Sequence, residues 1–202
     1  MFDPLLRRLL GPGLDRAGRG LARGRIGADA LTVAGFAVGM AAVLALALGW
    51  YGAALAMLAL NRLADGLDGA VARAAGGSDF GGYLDIVCDF LVYAAVPFGF
   101  ALSRPEDGMA ALFLMLSFVG TGTTFLAFAI LAAKRGLATT RRGAKVFYYL
   151  GGLTEGSETF ACFAAMCMLP DAFAALAYVF GGLCWLTTAG RVYEAWTTFG
   201  RG

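Results

Sequence analysis

The chain has 202 residues, 59% of them apolar and only 15% charged, with a formal net charge of +2. That composition excludes an ordinary soluble domain, and the small net charge excludes a nucleic-acid binder with a basic face. The absence of histidine removes the usual general base and the usual transition-metal ligand, leaving carboxylates, Lys, Arg, Tyr and Cys for any chemistry.

The expected fold is all-α: a polytopic integral membrane protein with an amphipathic juxtamembrane segment over residues 1–25 and a domain of six transmembrane helices over residues 26–202. At the start, Phe2, Leu5, Leu6, Leu9, Leu10 and Leu14 are set against Arg7, Arg8, Arg16 and Arg19. The pattern predicts an interfacial helix whose arginines meet anionic headgroups, broken near Gly11-Pro12-Gly13; the competing reading is a basic leader without structure. No continuous apolar core precedes residue 25, so no cleavable signal peptide is expected.

A bilayer core of about 30 Å requires about 20 apolar residues per helix. On that criterion the spans are expected at 30–49, 52–73, 82–103, 108–133, 145–168 and 171–196, separated by Gly-, Pro- and Asp-containing turns. Cys88, Cys162, Cys167 and Cys184 lie in apolar runs without CxxC spacing and read as small buried residues. Basic residues cluster before the first span (Arg7, Arg8, Arg16, Arg19, Arg23, Arg25) and after the fourth (Lys134, Arg135, Arg141, Arg142, Lys145), whereas the opposite loops offer only Arg104. The bias places both clusters on the cytoplasmic side of an inner membrane.

The second and third expected spans carry the chemistry. Asp65 and Asp68 are three residues apart, Asp85 and Asp89 four apart, so each pair shares a helix face, and the glycine-rich turn between them lets the two helices run side by side. Each charge within a membrane helix costs on the order of 2.5–3.5 kcal/mol even on insertion scales, and only Arg62 and Arg73 lie nearby to compensate. Oxygen donors without imidazole or thiolate point to Mg2+ or Mn2+, ions that usually accompany a phosphate-bearing substrate. Glycines at 66, 69, 76, 77, 81 and 82 leave room for a bulky ligand, or alternatively for close helix packing.

The pattern Asp65-x-x-Asp68-Gly69-x-x-Ala72-Arg73, then Gly81-x-x-x-Asp85-x-x-x-Asp89, resembles the signature of the CDP-alcohol phosphotransferase family, and the six expected spans and the length resemble that family as well. The resemblance implies a homodimeric transferase that moves a phosphatidyl group from CDP-diacylglycerol to a polar alcohol and releases CMP at the cytoplasmic face. It assigns Asp65, Asp68 and Asp85, with Asp89 beside them, to two divalent ions, and Asp89 to the general base. It assigns Gly69, Ala72, Arg73 and Gly81 to the CDP moiety. Asp29 and Thr32 stand where members carry a Pro-Asn-x-x-Thr-like motif and join the CDP contacts, although Pro is missing here and Asp replaces Asn; an N-cap is the plainer role for Asp29. For Arg73 the plainer role is a helix-end anchor.

Lys134, Lys145, Glu155, Glu158 and Arg191 are the candidates for the acceptor side. The basic residues favour glycerol 3-phosphate or inositol phosphate. Glu155 and Glu158, expected on one helix face, favour an uncharged polyol or an amine, or else pair with Arg191 or Lys145. Two other functions fit parts of the pattern: an intramembrane prenyltransferase using aspartate-bound Mg2+, and a non-enzymatic divalent-cation membrane protein.

Overall fold

The computed structural model describes residues 3–137 and 152–200. Among the described residues the fold is all-helical: α1 (Asp3–Arg23), α2 (Ala28–Ala47), α3 (Tyr51–Ala75), α4 (Asp79–Ser103), α5 (Gly108–Lys134), α6 (Gly156–Met168) and α7 (Phe173–Phe199). Four helical segments, Ala28–Ala47, Asp79–Ser103, Pro105–Lys134 and Pro170–Phe199, are long and apolar enough to cross a membrane. Helix α3 has the length, about 37 Å at 1.5 Å per residue, but it carries Arg62, Asp65, Asp68 and Arg73.

Two local expectations need correction. Helix α1 runs unbroken through Gly11-Pro12-Gly13. Its far half is braced by packing on α3, with Leu14 beside Gly66 and Gly18 so close to Ala70 that an added Cβ would lie 2.6 Å from the alanine Cβ. Tertiary contact of this kind outweighs the local cost of one missing hydrogen bond. Of the expected span 145–168, residues 145–151 lie outside the described residues, α6 starts at Gly156, and 152–155 is not helical. There the backbone N–H of Leu153 donates to Thr187 Oγ1 at 3.2 Å instead of to a helix carbonyl.

Helix α2 packs closely on α3 and α4 through small residues. A Cβ at Gly35 would lie 2.8 Å from Ala64, and one at Gly39 2.8 Å from Val92. Between apolar helices in a membrane, such close backbone approach supplies the packing that water would otherwise drive. The buried Asn61 Nδ2 locks this arrangement by donating to Gly35 O at 3.0 Å.

The apolar core fills one end of the bundle. Leu46, Val96, Phe100, Leu114, Phe163, Met166 and Phe173 are fully buried, and Phe100 stacks on Phe173 with centroids 4.5 Å apart. At that end Arg104 bonds Asp107 at 2.6 Å and Asp171 at 3.1 Å, joining the turn before α5 to the turn before α7. The carboxylates lie toward the other end, because Asp85 precedes Phe100 on α4 by four helical turns. Helix α3 ends at Gly76, whose φ of +90° favours glycine, and Ser78 Oγ caps α4 by accepting from Gly81 N at 2.9 Å.

Candidate active site

The cleft at the carboxylate end is lined by Thr32, Gly35, Phe36, Asn61, Asp65, Asp68, Asp85, Cys88 and Asp89, and encloses about 240 Å³ counted with the solvent at its mouth. Helix α2 supplies one wall, α3 a second and α4 the third. Helical pitch turns the i,i+3 pair of α3 and the i,i+4 pair of α4 toward this common space.

One carboxylate oxygen from each of Asp65, Asp68 and Asp85 lies within 4.8 Å of the others. Three oxygen donors this close repel one another unless a cation or protons intervene, and the donor set suits a hard divalent ion. Asp68 is buried and receives a hydrogen bond from Thr32 Oγ1 at 2.6 Å. That bond crosses from α2 to α3 and orients the carboxylate, as an outer-shell partner orients a metal ligand.

Asp89 is held differently. Arg62 Nη2 bonds Asp65 Oδ2 at 2.7 Å and Asp89 Oδ1 at 3.3 Å, while Arg62 Nη1 donates to Tyr93 Oη at 2.8 Å. Among the described residues Arg62 thus bridges one member of the triad, Asp65, and Asp89.

Of the expected nucleotide contacts, Thr32 lines the cleft and the others lie on α2, α3 and α4 outside its lining. Asp29 Oδ1 lies 2.6 Å from where a Cβ on Gly81 would project, so a side chain there would displace the Asp29 carboxylate. Asp29 is not the helix N-cap; Gly27 holds that position and Asp29 follows in the first turn. Gly69 and Ala72 are half-buried on α3. Arg73, in the last turn of α3, pairs with Asp15 of α1 at 2.8 Å, in keeping with an anchoring role in this state.

The later candidates are more scattered. Lys134 is exposed in the last turn of α5, and Lys145 lies outside the described residues. Glu155 is buried but precedes α6 with an extended backbone, so it does not share a helix face with Glu158, which accepts from Ser157 Oγ at 2.9 Å. Arg191 is buried on α7, donates to Thr121 O at 2.8 Å and covers the Phe125 ring. Residues 152–156 link these regions: a Cβ at Gly152 would lie 3.2 Å from Arg191 Nη2, and one at Gly156 3.3 Å from Tyr93 Oη and 3.4 Å from Arg62 Nη1.

The sequence reading passes over Tyr93 and Asn61, treats Arg62 only as a nearby charge, and takes Cys88 as buried where it is half-buried in the cleft wall. Tyr93 had a signal, since it extends the Asp85, Asp89 series by another four residues. Asn61 had none, because its partner Gly35 is 26 residues away.

The family described as CDP-alcohol phosphatidyltransferase matches residues 25–196, a stretch that contains every wall of the cleft. The chain belongs to the CDP-alcohol phosphatidyltransferase family. Among curated relatives, "Inner membrane protein YnjF" of Escherichia coli (strain K12) is 50% identical over 199 residues, covering 98% of this chain and 97% of the relative. The fold is shared with crystal structures of the Mycobacterium tuberculosis phosphatidylinositol phosphate synthase PgsA1. The form with CDP-DAG bound aligns with TM-score 0.72 and 22% identity over 91% of this chain and 94% of the other. The complex with manganese and citrate aligns with TM-score 0.71 and 24% identity over 91% and 89%.

Proposed function

We propose that this protein transfers a phosphatidyl group from CDP-diacylglycerol to a polar alcohol, releasing CMP, at the cytoplasmic face of an inner membrane. The observation that carries the reading is the oxygen triad of Asp65, Asp68 and Asp85, with Asp89 beside it on the same cleft. Support comes from the family membership, from the inner-membrane relative, and from fold neighbours crystallised with CDP-DAG and with manganese. In this reading α3 and α6 join the four apolar helices in a six-span bundle with α1 at the interface, and the homodimer rests on the family resemblance alone.

Asp65, Asp68 and Asp85 would hold the divalent ions, two per site and Mg2+ or Mn2+ by donor type. When bound, such ions neutralise the diphosphate and stabilise the leaving phosphate charge. Thr32 keeps Asp68 oriented, and the close pairing of Asp29 with Gly81 shapes the wall for the CDP moiety together with Gly69, Ala72 and Arg73. Asp89 accepts the proton of the acceptor hydroxyl as its oxygen forms a bond to the lipid-bearing phosphorus. The bond from that phosphorus to the bridging oxygen breaks, and CMP leaves with the electron pair.

The acceptor side is assigned to residues 152–158 and Arg191, because this stretch reaches from Arg191 to the side chains that hold Asp89. A phosphate-bearing acceptor would engage Lys134, Lys145 and Arg191; a neutral polyol or an amine would engage Glu155 and Glu158.

The test incubates purified protein with CDP-diacylglycerol, Mg2+ or Mn2+ and a panel of alcohols and alcohol phosphates, then identifies the lipid by mass. CMP release with one acceptor is expected. Consumption of a prenyl diphosphate without CMP release, or metal transport into proteoliposomes unaffected by cytidine nucleotides, would overturn the reading.

A further inference from the structure

Arg62 occupies a position that the metal and nucleotide assignments do not use. Its side chain is only 20% exposed; it pairs with Asp65 and gives hydrogen bonds to Asp89 and the Tyr93 hydroxyl. Its guanidinium carbon also lies 5.9 Å from the centre of the Tyr93 ring. That ring is fixed in turn by Phe118 of α5 and Phe163 of α6, with centroids 6.2 Å away in both cases. Gly156 closes the far side so tightly that a Cβ there would sit 3.4 Å from Arg62 Nη1. Helices α3, α4 and α6 thus meet around a single guanidinium, and α5 braces its Tyr93 partner.

A planar fork locked in this way holds direction as well as charge, which the flexible point charge of lysine does not reproduce. The Asp65 contact is the shorter of the two, yet a divalent ion held together with Asp68 and Asp85 would give Asp65 a second constraint. Asp89 is not a member of that triad.

We propose that Arg62, braced by Tyr93, is the positioning residue for Asp89: it fixes the orientation of that carboxylate toward the acceptor oxygen, outside the metal-holding triad. The inference deepens the proposed transferase reading and rests on it. A general base must stand within hydrogen-bond reach of the proton it takes, and a misplacement of about 1 Å can cost on the order of a hundredfold in rate. Arg62 therefore acts on turnover and only weakly on the affinity for metal or donor.

The experiment uses the full chain in detergent or nanodiscs and compares Arg62→Lys, Arg62→Gln and Tyr93→Phe with the wild type and with Asp89→Asn. For each variant kcat, the KM for CDP-diacylglycerol, Mn2+ affinity by electron paramagnetic resonance, and the melting temperature are measured. The expected result is a kcat lowered roughly 10- to 100-fold in both Arg62 variants and less in Tyr93→Phe, with donor KM and Mn2+ affinity within about threefold. Arg62→Gln added to Asp89→Asn is expected to lower kcat little further, since the two residues act as one unit.

Near-normal kcat in Arg62→Lys and Arg62→Gln overturns the inference. So does a fall in Mn2+ affinity that parallels kcat, or a full additional loss of rate in the Asp89→Asn background. If Arg62→Gln does not fold, Arg62→Lys and Tyr93→Phe carry the same comparison. Failure of the underlying transferase reading looks different: the wild type itself releases no CMP with any acceptor.

Discussion

The carboxylate half of the bundle and the half built by α5, α6 and α7 are assembled on different principles. On α3 and α4 the acids recur at helical spacing on two helices joined by a turn of three residues, Gly76 to Ser78, so helix pitch alone brings them together. In the other half, Arg191 meets Thr121 across 70 residues and Thr154 meets Thr187 across 33, and the stretch between Gly152 and Glu155 is not helical. A site written in local spacing is legible as a motif; one made by long-range packing leaves isolated charges in apolar runs.

The largest expected effect breaks the carboxylate half outright. Asp68→Ala removes a buried triad oxygen together with the acceptor of the Thr32 hydrogen bond. Mn2+ affinity and CMP release are expected to fall together by more than the roughly 10- to 100-fold typical of outer-shell partners; unchanged donor affinity in Mg2+ would remove Asp68 from the ligand set. Asp89→Asn separates the two duties within the same half. Turnover is expected to fall roughly a hundredfold while CDP-diacylglycerol binding holds, and near-normal turnover would end its assignment as base.

Thr32→Val tests whether α2 contributes through the carboxylate it orients. Loss of the 2.6 Å bond to Asp68 is expected to weaken Mn2+ by about tenfold, measured by resonance titration, with the fold intact. Gly156→Ala then probes the join between the halves. Its Cβ would press on Tyr93 Oη and Arg62 Nη1, and a turnover change of about threefold or more is expected from small displacements at the site. If rate and acceptor KM stay at wild-type values, the start of α6 is mechanically separate from Asp89.

The smallest effect lies outside both halves, where α1 joins the signature helix. The hydrogen bond from Arg73 holds the exposed Asp15 carboxyl below the usual carboxylate range. A lowered folded-state value means the pair contributes above the usual carboxylate range and is lost as pH falls through that lowered value. Amide protection in α1, corrected for the intrinsic pH dependence of exchange, should therefore stay constant from neutral pH into the mildly acidic range and fall only in stronger acid. Asp15→Asn should abolish that acid step with little change in turnover; an unchanged step would assign it to another group.

Legibility followed the same division. The spacing of Asp65, Asp68, Asp85 and Asp89 was sufficient to place four acids at one end of two helices, and the apolar runs marked α2, α4, α5 and α7 within a few residues. The break at Gly11-Pro12-Gly13 was misread because turn propensity was weighed without the packing of Leu14 and Gly18 on α3. Glu155 and Glu158 were placed on one face because a helix was carried through 152–155, where Leu153 N instead bonds Thr187.

The sequence by itself determined the all-helical, membrane-compatible class and the carboxylate signature, since both depend on periodicity within a helix or between two adjacent ones. Only the tertiary structure decided which polar partner each acid receives: Thr32 for Asp68, Arg62 for Asp65 and Asp89, and Arg73 for Asp15. The physical reason is that the Thr32, Asp89 and Asp15 partnerships cross between helices, and their lengths are set by how closely small residues such as Gly18, Gly35 and Gly39 let those helices approach.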